Sequence, residues 1–126
     1  MQIQPLISSS TKLSKEQIKR YSRHILLPEI GLENQKRIAN AKVLVVGAGG
    51  LGSPVLMYLA SSGIKEIGLV EFDVVDESNL QRQVIHSTKN IGQSKAVSAK
   101  ARINEINPHT NVVIFEEILT SKNALE

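Results

Sequence analysis

Residues Val43 to Gln83 read VLVVGAGGLGSPVLMYLASSGIKEIGLVEFDVVDESNLQRQ, and this stretch decides the fold. An apolar run ends at Gly47 and an amphipathic run opens near Gly50, so the glycines stand where a buried strand turns into a helix. Each glycine of the GxGxxG pattern answers a separate demand. Gly47 permits the tight turn, Gly49 lets a phosphate approach the backbone, and Gly52 lets the helix pack against the strand. The helix start adds unpaired N–H groups that favour an anion. Glu71 closes the next apolar run, Ile67 to Val70, nineteen positions after Gly52, where a dinucleotide fold keeps its ribose-binding carboxylate. Together these residues point to a bound ribonucleotide.

Outward from this stretch, the pattern alternates. Strands are expected at 42–46, 67–70 and 112–115, with a helix at 50–62 carrying Leu51, Val55, Leu56 and Leu59 at helical spacing. A second helix is expected at 93–106, with Ala96, Ala99, Ile103 and Ile106 on one face. Pro54 falls in a first helical turn, where a missing N–H costs little, and Gly63 reads as a helix stop. Asn107-Pro108 ends the later helix. Strand–helix–strand alternation implies parallel strands joined by right-handed crossovers, hence an α/β, Rossmann-like, doubly wound and mainly parallel sheet. Two short helices precede it, one over 15–24 with Ser14 and Gln17 at capping-box spacing and one over 32–39. Residues 1–13 read as a flexible lead and residues 14–126 as the nucleotide-binding unit. Since alternation stops after three strands, one face and one edge of the sheet are expected to lack cover, as in the N-terminal half of a longer enzyme.

Bulk properties narrow the function. A chain of 126 residues with 41% hydrophobic content supports one domain. No apolar run approaches the roughly 20 residues of a membrane span, and the N-terminus has no signal-peptide pattern, so the expected setting is cytoplasmic, without a membrane partner. With no cysteine, the chain supplies neither a thiol nucleophile nor a cysteine zinc site. Net charge is +3, but the basic residues are scattered and only 3% of residues are aromatic, which argues against nucleic acid as a partner.

The polar run Ser78-Asn79-Leu80-Gln81-Arg82-Gln83 follows the acidic strand end, so its amide and guanidinium groups can reach phosphates over the glycine turn. Arg82 on a solvated turn is the plainer alternative. Lys95, at the start of the second crossover helix, either bends over the same phosphates or is a surface lysine. Asp73 and Asp76 either meet Mg²⁺ accompanying a phosphate or cap their loop. His24, His86 and His109 have no partner at ligand spacing and read as structural or solvated.

Five segments in order carry a resemblance: Arg20 to Pro28 (RYSRHILLP), GAGGLG from Gly47, SNLQRQ from Ser78, GQSKA from Gly92 and INP from Ile106. The chain resembles the ubiquitin-activating-like adenylyltransferases over about residues 14 to 120. Within them it is most similar to the molybdopterin-synthase and thiamine-biosynthesis enzymes that activate small sulfur carriers. That resemblance implies ATP and Mg²⁺ as cofactors. It also implies a ubiquitin-like partner ending in Gly-Gly, whose terminal carboxylate attacks the α-phosphate and releases pyrophosphate. Gly50 then matches a backbone contact to the nucleotide, Glu71 the ribose acid, and Ser78 to Arg82 the lining of the nucleotide. Asn79, Arg82 and Lys95 match phosphate contacts. Arg23 matches an arginine that crosses a homodimer interface into the neighbouring site, so Arg23, Arg82 and Lys95 form the expected catalytic set.

Two departures accompany the match. Glu71 stands where an aspartate is more usual. The family's later Mg²⁺-binding aspartate and its zinc-holding cysteines have no counterpart before Glu126, so the chain alone is expected to be inactive. Competing readings are an NAD-dependent oxidoreductase, which has no use for Arg23 or the Asn79, Arg82 and Lys95 trio, and a non-catalytic docking module for a ubiquitin-like protein. A related dehydratase branch acts on a modified base of transfer RNA, but the Pro28 region and SNLQRQ resemble the carrier-activating branch more closely.

Overall fold

A computed structural model describes residues 5–126. Its order is α1 (Lys15–Arg20), α2 (Ser22–Ile25), α3 (Gly31–Ile38), β1 (Lys42–Val46), α4 (Gly52–Ser62), β2 (Glu66–Val70), α5 (Lys95–Ile106) and β3 (Asn111–Phe115). The strands form one parallel sheet in the order β1-β2-β3, with Val43, Ile67 and Val112 in register across it. This is the α/β parallel architecture that the alternation implies. Residues 1–4, the start of the expected lead, lie outside the described residues; within the rest of that lead, Ile7 packs against the core.

Period-two alternation sorts the strand residues onto two faces. Val45, Ile67, Leu69 and Val112 face α4 and α5, whose Leu56, Ala60, Ala96, Ala99 and Ile103 complete a single core. On the opposite face Leu44, Val46, Val113 and Phe115 remain 37–57% exposed, so the expected uncovered face is present. Right-handed crossovers in a β1-β2-β3 order put both helices on the same side, which is why only one side is sealed.

Three local expectations change. The first helix, expected unbroken over 15–24, divides at Tyr21, whose ring turns inward to 2% exposure. Its hydroxyl accepts from Asn107 Nδ2 at 2.8 Å, and the ring lies so close to Gly63 that a Cβ there would sit 2.7 Å from Tyr21 Cζ. The helix expected from 50 begins at Gly52, because Gly47 to Leu51 are spent on the turn. Its buried positions are Ser53, Leu56 and Ala60, while Leu51 and Val55 are exposed.

Gly63 does end α4 in the left-handed region, at φ 97°. Because α4 and α5 run antiparallel to the strands, their N-termini lie at the carboxyl edge of the sheet. In open α/β sheets that edge is where ligands bind.

Candidate functional site

The carboxyl ends of the three strands bring the glycine loop and the acidic segment side by side. The ladder continues one step beyond the strands, with Gly47 N–H donating to Val70 O at 2.8 Å and Glu71 N–H to Phe115 O at 3.0 Å. Gly47 then turns at φ 95°, a conformation that glycine alone adopts freely. Gly52 packs against that turn: a Cβ on it would lie 2.0 Å from the Gly47 carbonyl oxygen. At Gly49 and Gly50, by contrast, an added Cβ meets only side chains, Gln83 Nε2 at 3.7 Å and the Arg82 methylenes at 3.5 Å. These two glycines leave backbone open to a visitor, and Gly47 and Gly52 build the turn that presents it.

The N–H groups of Gly49, Gly50, Leu51 and Gly52 have no acceptor among the described residues. They stand at the N-terminal, positive end of the α4 dipole, an arrangement that suits an anion. Arg82 lies across the loop with its methylenes over Gly50 and its Nη1 within 3.4 Å of the Ser78 carbonyl. Beside it Gln83 is buried, and its Oε1 has no partner among the described residues.

The run from Ser78 to Gln83 is compact because Asn79 organises it. Asn79 Oδ1 accepts from Asp76 N–H at 3.0 Å, and its carbonyl accepts from Arg82 and Gln83 N–H at 3.2 and 2.9 Å. Asp76 Oδ1 accepts from both the backbone and the hydroxyl of Ser78, which holds its carboxyl below the usual range. Asp76 thus caps this turn, one of the two roles open to it. Leu80 is half-buried and Gln81 exposed on the same turn.

Glu71 is 8% exposed and ties the two strand ends together. Its Oε2 accepts from Ala48 N–H at 2.8 Å, and its Oε1 from Phe72 and Asp73 N–H at 2.9 Å each. Three N–H donors leave the two oxygens room for another donor, the number a ribose hydroxyl needs.

Lys95 opens α5 and is 6% exposed, with Nζ 2.9 Å from Asp73 Oδ2. The ammonium, helped by the Val74 N–H, holds the Asp73 carboxyl below the usual carboxylate range. Lys95 is thus a buried cation at the cleft rather than a surface lysine. Among the described residues no cluster of three or more His, Cys, Asp or Glu side chains is arranged to hold a metal. A single exposed carboxylate at Asp73 fits Mg²⁺ only as a companion of phosphates, not as a dedicated protein cage.

His86 is the residue that spacing did not connect to the site. It is buried under the loop, with Nε2 2.9 Å from the Ala48 carbonyl and Nδ1 2.8 Å from Ser98 Oγ. Burial lowers its pKa, opposed by the Ala48 bond; Lys95 adds to the lowering and Glu71 counters it. Ala48 and His86 are thirty-eight positions apart, and no periodicity links them.

Arg23 is the expected residue that the fold does not bring to this cleft. It is exposed on α2, beside Tyr21, which packs on Gly63 and Asn107 at the C-terminal ends of α4 and α5. That is the opposite edge of the sheet.

The ThiF family matches residues 21–126. The chain is 53% identical over 122 residues to the probable adenylyltransferase/sulfurtransferase MoeZ of Mycobacterium tuberculosis, covering 97% of this chain and 31% of that protein. To the sulfur carrier protein adenylyltransferase of Thermus thermophilus it is 48% identical over 113 residues, 90% of this chain and 42% of that one. Among solved structures, the E. coli tRNA N6-threonylcarbamoyladenosine dehydratase TcdA in complex with AMP superposes with a TM-score of 0.84 at 32% identity, covering 90% of this chain and 46% of that one. The chain therefore spans less than half the length of each of these proteins.

Proposed function

Since the chain belongs to the ThiF family, we propose that the protein adenylates the C-terminal glycine of a ubiquitin-like sulfur carrier, consuming ATP and releasing pyrophosphate, in molybdenum cofactor or thiamine biosynthesis. One observation carries this reading: a row of N–H groups from Gly49 to Gly52 with no acceptor among the described residues, overlain by Arg82 and faced by the strand end that bears Glu71. Relatives named as adenylyltransferases at 48–53% identity, and a structural neighbour solved with AMP, support it.

The chemistry asks little of acid–base catalysis, because a carboxylate is already nucleophilic. It asks for alignment and charge neutralisation. The glycine-loop amides hold the phosphates, Glu71 accepts from the ribose, and Asn79 shapes the turn that presents Arg82. A carrier carboxylate oxygen forms the new bond to the α-phosphorus while the bond to the pyrophosphate oxygen breaks. Arg82 and Lys95 take up the charge that accumulates on the phosphates, with Lys95 exchanging its Asp73 contact for a phosphate oxygen. Asp73 would be the carboxylate to meet Mg²⁺ accompanying the triphosphate, and the ion would supply further charge neutralisation. With no cysteine in the chain, zinc has no thiolate ligand here.

The test is isotope exchange. Full-length protein is expected to exchange labelled pyrophosphate into ATP only when a carrier ending in Gly-Gly is present, and Arg82→Ala or Lys95→Ala to lower the exchange by orders of magnitude without unfolding. Absence of exchange with every such carrier, together with tight NADH binding, would overturn the reading in favour of an oxidoreductase.

A further inference from the structure

The Ala48 carbonyl is turned into the core, where it accepts from His86 Nε2 at 2.9 Å and from Ser53 Oγ at 3.4 Å. A carbonyl only accepts, so Nε2 carries the imidazole proton, and Nδ1 accepts from the Ser98 hydroxyl. No peptide among the described residues is cis. In a planar trans peptide the C=O and the following N–H point in opposite directions. A carbonyl held inward at Ala48 therefore aims the Gly49 N–H outward into the cleft, where it has no acceptor among the described residues.

Among the described residues His86 makes the shorter of the two hydrogen bonds to that carbonyl. Glu71 fixes the preceding peptide through the Ala48 N–H at 2.8 Å. Gly49 carries no Cβ, and even one added there would meet only Gln83 Nε2 at 3.7 Å, so side-chain packing at Gly49 does not hold the peptide between Ala48 and Gly49 in place. The Ser53 contact is long. A flip would withdraw the Gly49 N–H and present the Ala48 oxygen to the phosphate, replacing attraction with repulsion.

We propose that His86 is a positioning residue for nucleotide binding: by holding the Ala48 carbonyl inward, it sets the Gly49 N–H toward the bound phosphate. The inference rests on reading the glycine loop as the seat of that phosphate.

Two measurements on the full-length protein test it. By calorimetry, His86→Phe, which keeps the ring without its donor, is expected to raise the Kd for ATP about tenfold, the effect of one hydrogen bond. His86→Gln, whose amide N–H can reach the same carbonyl, is expected to restore most of the affinity. A purely structural role would lower the melting temperature of both variants and leave Kd unchanged, so a folded His86→Phe protein with wild-type Kd overturns the proposal. The second measurement needs no variant: in the 15N-labelled wild-type protein, saturation with ATP is expected to move the Gly49 amide proton downfield. If ATP binds and that resonance stays in place, this inference alone fails. If wild-type protein binds no ATP, the nucleotide reading fails first.

Discussion

Four glycines within six positions look interchangeable in the sequence, yet the structure separates them into builders and hosts. Gly47 and Gly52 build the turn, one through its positive φ and the other because a Cβ would strike the Gly47 carbonyl. Gly49 and Gly50 leave backbone exposed without being needed for the turn itself. Gly52→Ala is therefore expected to cost about 2 kcal/mol or more through overpacking against backbone, lowering the urea midpoint. Gly49→Ala should leave the urea midpoint nearly unchanged while weakening ATP binding about tenfold or more by calorimetry. Equal losses of stability in both variants would contradict the division. His86 gives a pH signature at the same scale. Its folded pKa lies below the ordinary 6.5, mainly through burial, with Lys95 and Glu71 as the charged groups acting on it in opposite directions. The unfolded chain then binds the proton more readily, so stability is full above about pH 6.5 and declines as pH falls through the folded value. Urea melts across pH 8 to 5 should show this decline, and His86→Gln should flatten it.

At the scale of elements, the sequence was legible wherever a local rule decides the outcome. The three strands, the α4 stop at Gly63 and the capping box of Ser14 and Gln17 follow from periodicity, left-handed glycine and side-chain reach, and all are present. The buried face of α4 was not legible, because large apolar residues dominate a periodic pattern while close packing against the sheet and α5 selects small ones. Ser53 and Ala60 are buried with Leu56, and Leu51 and Val55 turn outward. The break at Tyr21 was hidden for a different reason. Its cause is Asn107, eighty-six positions away, which donates to both the Tyr21 hydroxyl and the Ala60 carbonyl at 2.8 Å. Of the candidate site, Gly47, Gly49, Gly52, Glu71, Arg82 and Lys95 are legible from order and spacing, and Gly50 from the family resemblance. The pairing of Lys95 with Asp73 and the seat of His86 beneath Ala48 depend on how strand ends meet, which no single-chain spacing encodes.

At the scale of the whole molecule, Arg23 and the cleft stand at opposite edges of the sheet. The cleft lies at the carboxyl edge of the sheet, whereas Arg23 is exposed on α2 at the other edge, held there by the packing of Tyr21 against Gly63 and Asn107. An arginine side chain does not span the length of α4, so Arg23 does not reach the cleft of its own chain in this structure. If it serves catalysis, it does so in a second copy, in a two-fold dimer where each chain lends its arm to the other. Subunit mixing tests this directly. Arg23→Ala and Lys95→Ala proteins, each inactive alone, should on mixing form dimers of which about half are mixed, each with one competent cleft, returning about one quarter of wild-type exchange activity. The competent cleft is the one that keeps Lys95 and receives Arg23 from its neighbour. No recovery once mixed dimers are demonstrated by mass, or full activity of Arg23→Ala by itself, would remove Arg23 from the catalytic set and leave Arg82 and Lys95 as its members.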